Sequence, residues 1–494
     1  MKLAHPAAIV KWSCPPLGGT PKFSLGSVQK RALECAPSGP GRALGAIEWW
    51  WLRVSWIQVT NVAELTEALA SEATGIEING TLRGMPSLTL PPGMSLRGGT
   101  LEFGAKGLQL TRNNSVEDVT ITTSAQEVAL YNDTSVADLG ILSLKNVTTK
   151  GQIYLAADGN VRSGHVSADT VHVAAADTRG RFDRPAGFGV EALQGAFTLW
   201  NRQPDSSVRL TARLENISAG SNDAPVRGGG VFVGGHGDHS GMADGGTIDV
   251  ELLSTGHVFS DGGIAPGTPD VISGGVFVIS GANVAEVRNL GTTTTYGQND
   301  MVLDNWGKVT AWTADAAVSS HGPSGIGFVN FGDIGTLTVN APITTHGLGA
   351  RGFNVYDGSL NEAVFESITT FGDGSVGVQV SRELPVLTVR GNLATSGGTG
   401  ESLVKGVLMP LSAIALSIKP SGRIGTASIG GNLSTAGDGV VTVELEGSIE
   451  ALQVAGKILA SGAGSDGVRT VAALTPVLED LTIEAPNGQT VVQI

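Results

Sequence analysis

Cysteine is almost missing from this chain: only Cys14 and Cys35 occur among 494 residues, both within the first 56 positions. Everything after them lacks a disulfide framework and a thiolate metal site. Charge is scarce too, at 15% against about a quarter in ordinary domains, and its sign is uneven. Residues 1–56 hold seven basic and two acidic side chains, so the totals of 31 and 45 leave 24 basic and 43 acidic beyond them, a balance of −19. That acidic body offers no broad basic surface to a phosphate backbone, and DNA or RNA is not an expected partner. Long apolar runs are absent as well. The stretch Trp49 to Val59 is short and carries Arg53, so no membrane span is read there. Between Met1 and Pro40 only the patch Ala7 to Val10 is apolar, which is too little for a secretory signal. Residues 1–56, with five of the eight tryptophans, are expected to lie outside the fold or to be an atypical targeting segment, and the compartment stays open.

Glycine is what the chain has in excess, 71 residues or about twice the average usage. It does not recur every third residue, which excludes collagen. Val, Ile and Leu are plentiful and regularly spaced, which excludes disorder. Gly297, Gly322, Gly347, Gly372 and Gly397 stand 25 residues apart, and Gly437 and Gly462 resume that spacing after a step of 40. Apolar residues keep the same period. The sixth residue after Gly297, Gly322, Gly347, Gly372 and Gly437 is Leu303, Phe328, Phe353, Val378 and Val443; the seventeenth is Ala314, Val339, Val364, Val389 and Val454; the twenty-first is Val318, Ile343, Ile368, Leu393 and Ile458. Three short strands per turn cannot hide an apolar face alone, but they can when turns stack about 4.8 Å apart. The predicted fold is therefore all-β, a parallel β-helix with about 25 residues per turn over residues 57–494.

A helix is predicted after Asn61, with Glu64 three residues on, Val62, Leu65, Ala68 and Leu69 on one face and Gly75 as its stop; it would cover the open end of the solenoid. Steps of 41 from Gly256 to Gly297 and of 40 from Gly397 to Gly437 place inserted loops near 257–275 and 398–425, and a shorter one spans 234–246.

The segments Gly391-Asn392-Leu393-Ala394-Thr395 and Gly431-Asn432-Leu433-Ser434-Thr435 resemble the right-handed parallel β-helix proteins of the pectin-lyase-like group, over about residues 75–485. That group includes polysaccharide lyases, glycoside hydrolases, epimerases, phage tail spikes and adhesin passengers, so the resemblance implies an architecture and not one activity. The lysine, arginine and paired-aspartate array of its pectate lyases and polygalacturonases is not found here.

Stacking makes residues 25 apart neighbours. Trp306, Phe331 and Tyr356 then form an aromatic stack, either a platform for sugar rings or core filling. Asp304, Asn354 and Gln379 should point outward and, with Asp300, Asn305, Arg351 and Asp357, form the densest polar patch. Asp304 and Asp357, about two rungs apart, are the candidate carboxylate pair, with Asp300 and Arg351 beside them; bonding to turn N–H groups is the structural alternative. His321 and His346 should stack at one corner, as substrate contacts or as structure. His236, Asp238, His239 and Asp244 share one loop, an acid–base or metal candidate or simply a solvated turn. Calcium is not expected, because the calcium β-roll needs a nine-residue period, and no cofactor is called for. Two functions are expected. One is a carbohydrate-active protein working on an oligo- or polysaccharide as hydrolase, lyase or transferase; the other is a noncatalytic, adhesin-like β-helix. A trimer is an open option.

Overall fold

The solenoid turns alternate inward and outward side chains along short strands, and parallel hydrogen bonding joins their strands to equivalents one turn on. A computed structural model describes residues 55–404 and 407–494. Residues 1–54 lie outside them, and with them almost all of the segment expected to stand apart. The result is a parallel β-helix. Leu303, Phe328, Phe353 and Val378 lie opposite one another on successive turns and are wholly buried. On the third face Val318, Ile343, Ile368 and Leu393 do the same, followed by Leu433 and Ile458. Each buried aliphatic or aromatic residue adds on the order of 1.5–3 kcal/mol. The sheet carrying Phe353 continues to Leu88 at one end and to Val491 at the other.

One predicted column needs correction. Val339 faces Phe365, not Val364, and Phe365 faces Val389. An extra residue enters at the turn before Ser359, which lies opposite Asp333, and the register recovers between Val339 and Pro342. Because side chains alternate, a slip of one residue exchanges the faces. Phe365 is therefore buried and Val364 is displaced outward.

The repeat glycines have a steric cause. A β-carbon on Gly322 would lie 1.8 Å from the carbonyl oxygen of Gly297, and one on Gly347 would lie 1.9 Å from that of Gly322. No residue with a side chain fits where one turn rests its backbone on the next. Gly256 does not belong to this file, because Gly291, not Gly297, packs against it.

Turn length varies. Trp56 pairs with Gly75, Gly75 with Ser95 and Ser95 with Ser115, so the first turns take 19 to 20 residues. A strand, Trp56–Val59, precedes the helix Val62–Leu69. Asn61 accepts from the Glu64 N–H at 3.0 Å, Glu64 accepts from the Thr60 N–H at 2.7 Å, and Leu65 and Ala68 enter the core. The helix ends at Leu69, whereas Gly75, its predicted stop, opens the strand Gly75–Ile78.

Insertions are narrower than their spacing suggests. Strand Thr247–Asp261 runs through the start of the loop predicted at 257–275, and the excursion is confined to the residues before the strand Val271–Val278. The loop predicted at 398–425 is an antiparallel hairpin, Thr399–Val404 with Val407–Ser412, after which Leu416 rejoins the stack opposite Val378. An insertion not foreseen lies between Ala175 and Gly195 and contains a small hairpin in which Gly187 pairs with Val190.

Candidate functional site

The outer surface of the sheet that carries Phe353 is covered. Outward residues Trp200, Phe232, Phe277, Met301, Trp306, Ile326, Val329 and Tyr356 form a second apolar cluster, closed by Ala192 and Phe188 from the unforeseen insertion, by Val404 from the Thr399–Ser412 hairpin and by Ile272 at the start of the strand Val271–Val278. Of the expected aromatic stack, Phe331 and Tyr356 are 5.2 Å apart and nearly parallel, whereas Trp306 stands edge-on to Phe331 at 6.5 Å. It stands outside the solenoid core yet under loops.

That cover decides the fate of the polar patch. Asp304 and Asn354 do point outward, and both are 0% exposed. Burial raises the Asp304 carboxyl well above the usual range, opposed by a hydrogen bond from Trp306 Nε1 at 3.1 Å. Neither amide atom of Asn354 has a hydrogen-bond partner among the described residues. Arg351 is buried and donates to the Tyr356 hydroxyl, Ser402 Oγ and the Leu403 carbonyl. Among the described residues it has no carboxylate partner. Gln379 is also buried. Asn305 lies inside the corner, donating to Asn330 Oδ1 at 2.9 Å, and is not presented to a ligand. Asp300 accepts from the Gly297 and Gly262 N–H groups at 2.8 and 3.1 Å, and burial pushes it up to about 7.

Asp357 is elsewhere. It sits half-exposed in a turn and is bound by Arg382 at 2.9 Å. It does not face the sealed Asp304, so these two do not form a carboxylate pair around one substrate. His321 and His346 stack at 4.8 Å between Tyr296 and Phe371, at 5.3 and 5.0 Å. The rings occupy one another's faces, which leaves their edges to solvent. Burial, and secondarily His346, holds the His321 imidazole below its ordinary value. In the 234–246 loop, His236 Nδ1 and Asp244 Oδ1 are 2.6 Å apart, while Asp238 accepts from the Ser240 and Met242 N–H groups at 2.9 and 3.0 Å. No cluster of three metal-binding side chains occurs among the described residues.

The open concavity lies on the next face. His165, Thr211, Asp249, Asn283, Lys308, Asp333 and Ser359 stand opposite one another in unbroken register. They line a groove of about 1030 Å³ floored by Val250, Val284, Val309 and Ile334. Six steps of about 4.8 Å make the ladder roughly 30 Å long. Around the corner a cavity of about 580 Å³ shares Asn283, Lys308 and Asp333 with the groove and adds Phe188, Trp306, Phe331 and Asp357. The two form one cleft, polar along its length and aromatic at one side.

Sequence reasoning found Asp357 and the aromatic rings but missed the ladder. Lys308 and Asp333 do lie 25 apart, which was a usable signal, whereas His165, Asp249 and Asn283 lie in turns of irregular length. The carboxylates here are engaged: Asp249 by Arg209 and by Asn283 Nδ2 at 2.9 Å, Asp333 by Ser359 Oγ at 2.7 Å. No helix of the described residues is long and apolar enough to cross a membrane. Comparison with protein families, with characterised proteins and with solved structures finds no match to this chain.

Proposed function

We propose that this chain, a β-helix of the pectin-lyase-like type, binds a linear oligo- or polysaccharide lengthwise in the cleft and leaves it intact. The observation that supports this is the register-linked ladder from His165 to Ser359, which offers one polar side chain per rung and runs beside the aromatic rings of Trp306 and Phe331. Hydroxyl groups along a sugar chain take hydrogen bonds from such a ladder, and the apolar faces of the rings pack on aromatic side chains. Binding is favoured over hydrolysis because Asp249, Asp333 and Asp357 are already partnered, while Asp300 and Asp304 are sealed away.

Calorimetric titration with neutral and uronic-acid hexasaccharides tests the reading. Lys308→Ala and Asp333→Ala should each weaken binding about three- to tenfold, the equivalent of one hydrogen bond. If no hexasaccharide binds, or if both variants bind as the parent does, the proposal fails; release of shorter products would replace it with an enzymatic one.

A further inference from the structure

The ring of Phe188 lies against the aromatic side of the cleft in an unusual way. It stacks on Phe331 at 4.5 Å and 27°, and it meets Trp306 edge-on at 5.4 Å and 82°. It comes from the tip of the hairpin in which Ala186 pairs with Glu191 and Gly187 with Val190. Both tip residues have positive φ, +53° at Phe188 and +85° at Gly189. Two-residue turns of that kind select Asn or Gly at the first position, because a β-carbon is strained there. The chain instead carries a bulky aromatic at this position. Gly241, from the neighbouring 234–246 loop, makes room for it: a β-carbon there would lie 2.3 Å from the Phe188 ring. Two insertions thus meet at one ring that packs on Trp306 and Phe331, and the cavity lined by all three remains open next to it.

We infer that Trp306 and Phe331 form a stacking subsite for a sugar ring, and that Phe188 occupies it from within the chain until a ligand displaces the hairpin tip. The inference rests on the polysaccharide reading above and deepens it. Phe331 has Tyr356 stacked at 5.2 Å, so the face that Phe188 covers is the one a ligand ring would take. A binding-competent state that must first release an internal contact shows an affinity reduced by the fraction of molecules already open. The strained φ of Phe188 keeps that contact from being tighter than a ligand can overcome.

The informative substitution is Phe188→Asn, since asparagine suits the turn and keeps the hairpin while removing the ring. Titration with the same hexasaccharides should show the variant binding about two- to tenfold more tightly than the parent, the equivalent of one aromatic contact. Adding Trp306→Ala should abolish that gain. If the parent binds through Lys308 and Asp333 but Phe188→Asn binds no better, the ladder stands and the internal-occupant inference falls. Weaker binding by Phe188→Asn would make Phe188 part of the site and also overturn it. If neither protein binds any hexasaccharide, both readings fail. A drop in melting temperature with no gain in affinity assigns Phe188 to cover alone.

Discussion

Gly437 rests on Gly397, forty positions earlier in the chain: a β-carbon on Gly437 would lie 1.8 Å from the Gly397 carbonyl oxygen, as close as between glycines 25 apart. The hairpin inserted between them leaves the stack undisturbed, because it departs and returns at one corner. Gly437→Ala should force the two turns apart and cost about 1–3 kcal/mol or more, as overpacking does. Gly104→Ala, where an added β-carbon meets nothing within 4 Å, is the control and should change stability little. Urea unfolding of both variants checks this; equal midpoints would contradict the close-approach explanation.

The register slip beside Phe365 gives a second test. Phe365 is buried against Phe353, with ring centroids 4.7 Å apart, whereas Val364 faces outward. Phe365→Ala should lose about 3–5 kcal/mol, and Val364→Thr should lie within about 0.5 kcal/mol of the parent. The reverse order would restore the unshifted register.

Stability should carry the signature of Asp300. Its folded carboxyl titrates at about 7 and its unfolded one near 3.8. Between those values the folded state holds the extra proton, so stability falls as pH rises from about 4 to about 7 and then levels. Asp300→Asn removes this group from the balance. Its melting temperature should gain on the parent's through that window, and parallel curves would show that Asp300 does not titrate there.

Asp304 should tolerate Asp304→Asn, since burial already favours its uncharged form and the amide oxygen can still accept from Trp306 Nε1. Asp304→Ala should cost about 1–3 kcal/mol by orphaning the indole N–H. Neither change should alter hexasaccharide affinity, because the side chain is sealed from the cleft. A lost affinity in Asp304→Asn with unchanged melting would return Asp304 to the site.

The 25-residue period was enough to identify the solenoid, because stacking demands that glycines and inward apolar residues recur together. Leu303, Phe328, Phe353 and Val378 could be assigned to one buried column from spacing alone, and Asn61 with Glu64 marked the helix start. Val364 was misassigned because one extra residue in a turn is invisible to a fixed count. The site could not be read the same way. Spacing correctly set Asp304 and Asn354 on the outer surface, but outward is not exposed: Phe188, Ala192 and Val404 come from insertions whose path no repeat encodes. The periodic sequence determined which side chains stack, since that depends only on local alternation and turn length. Only the tertiary structure decided which outward faces the inserted loops cover and which they leave open, because that depends on contacts between segments distant in the chain.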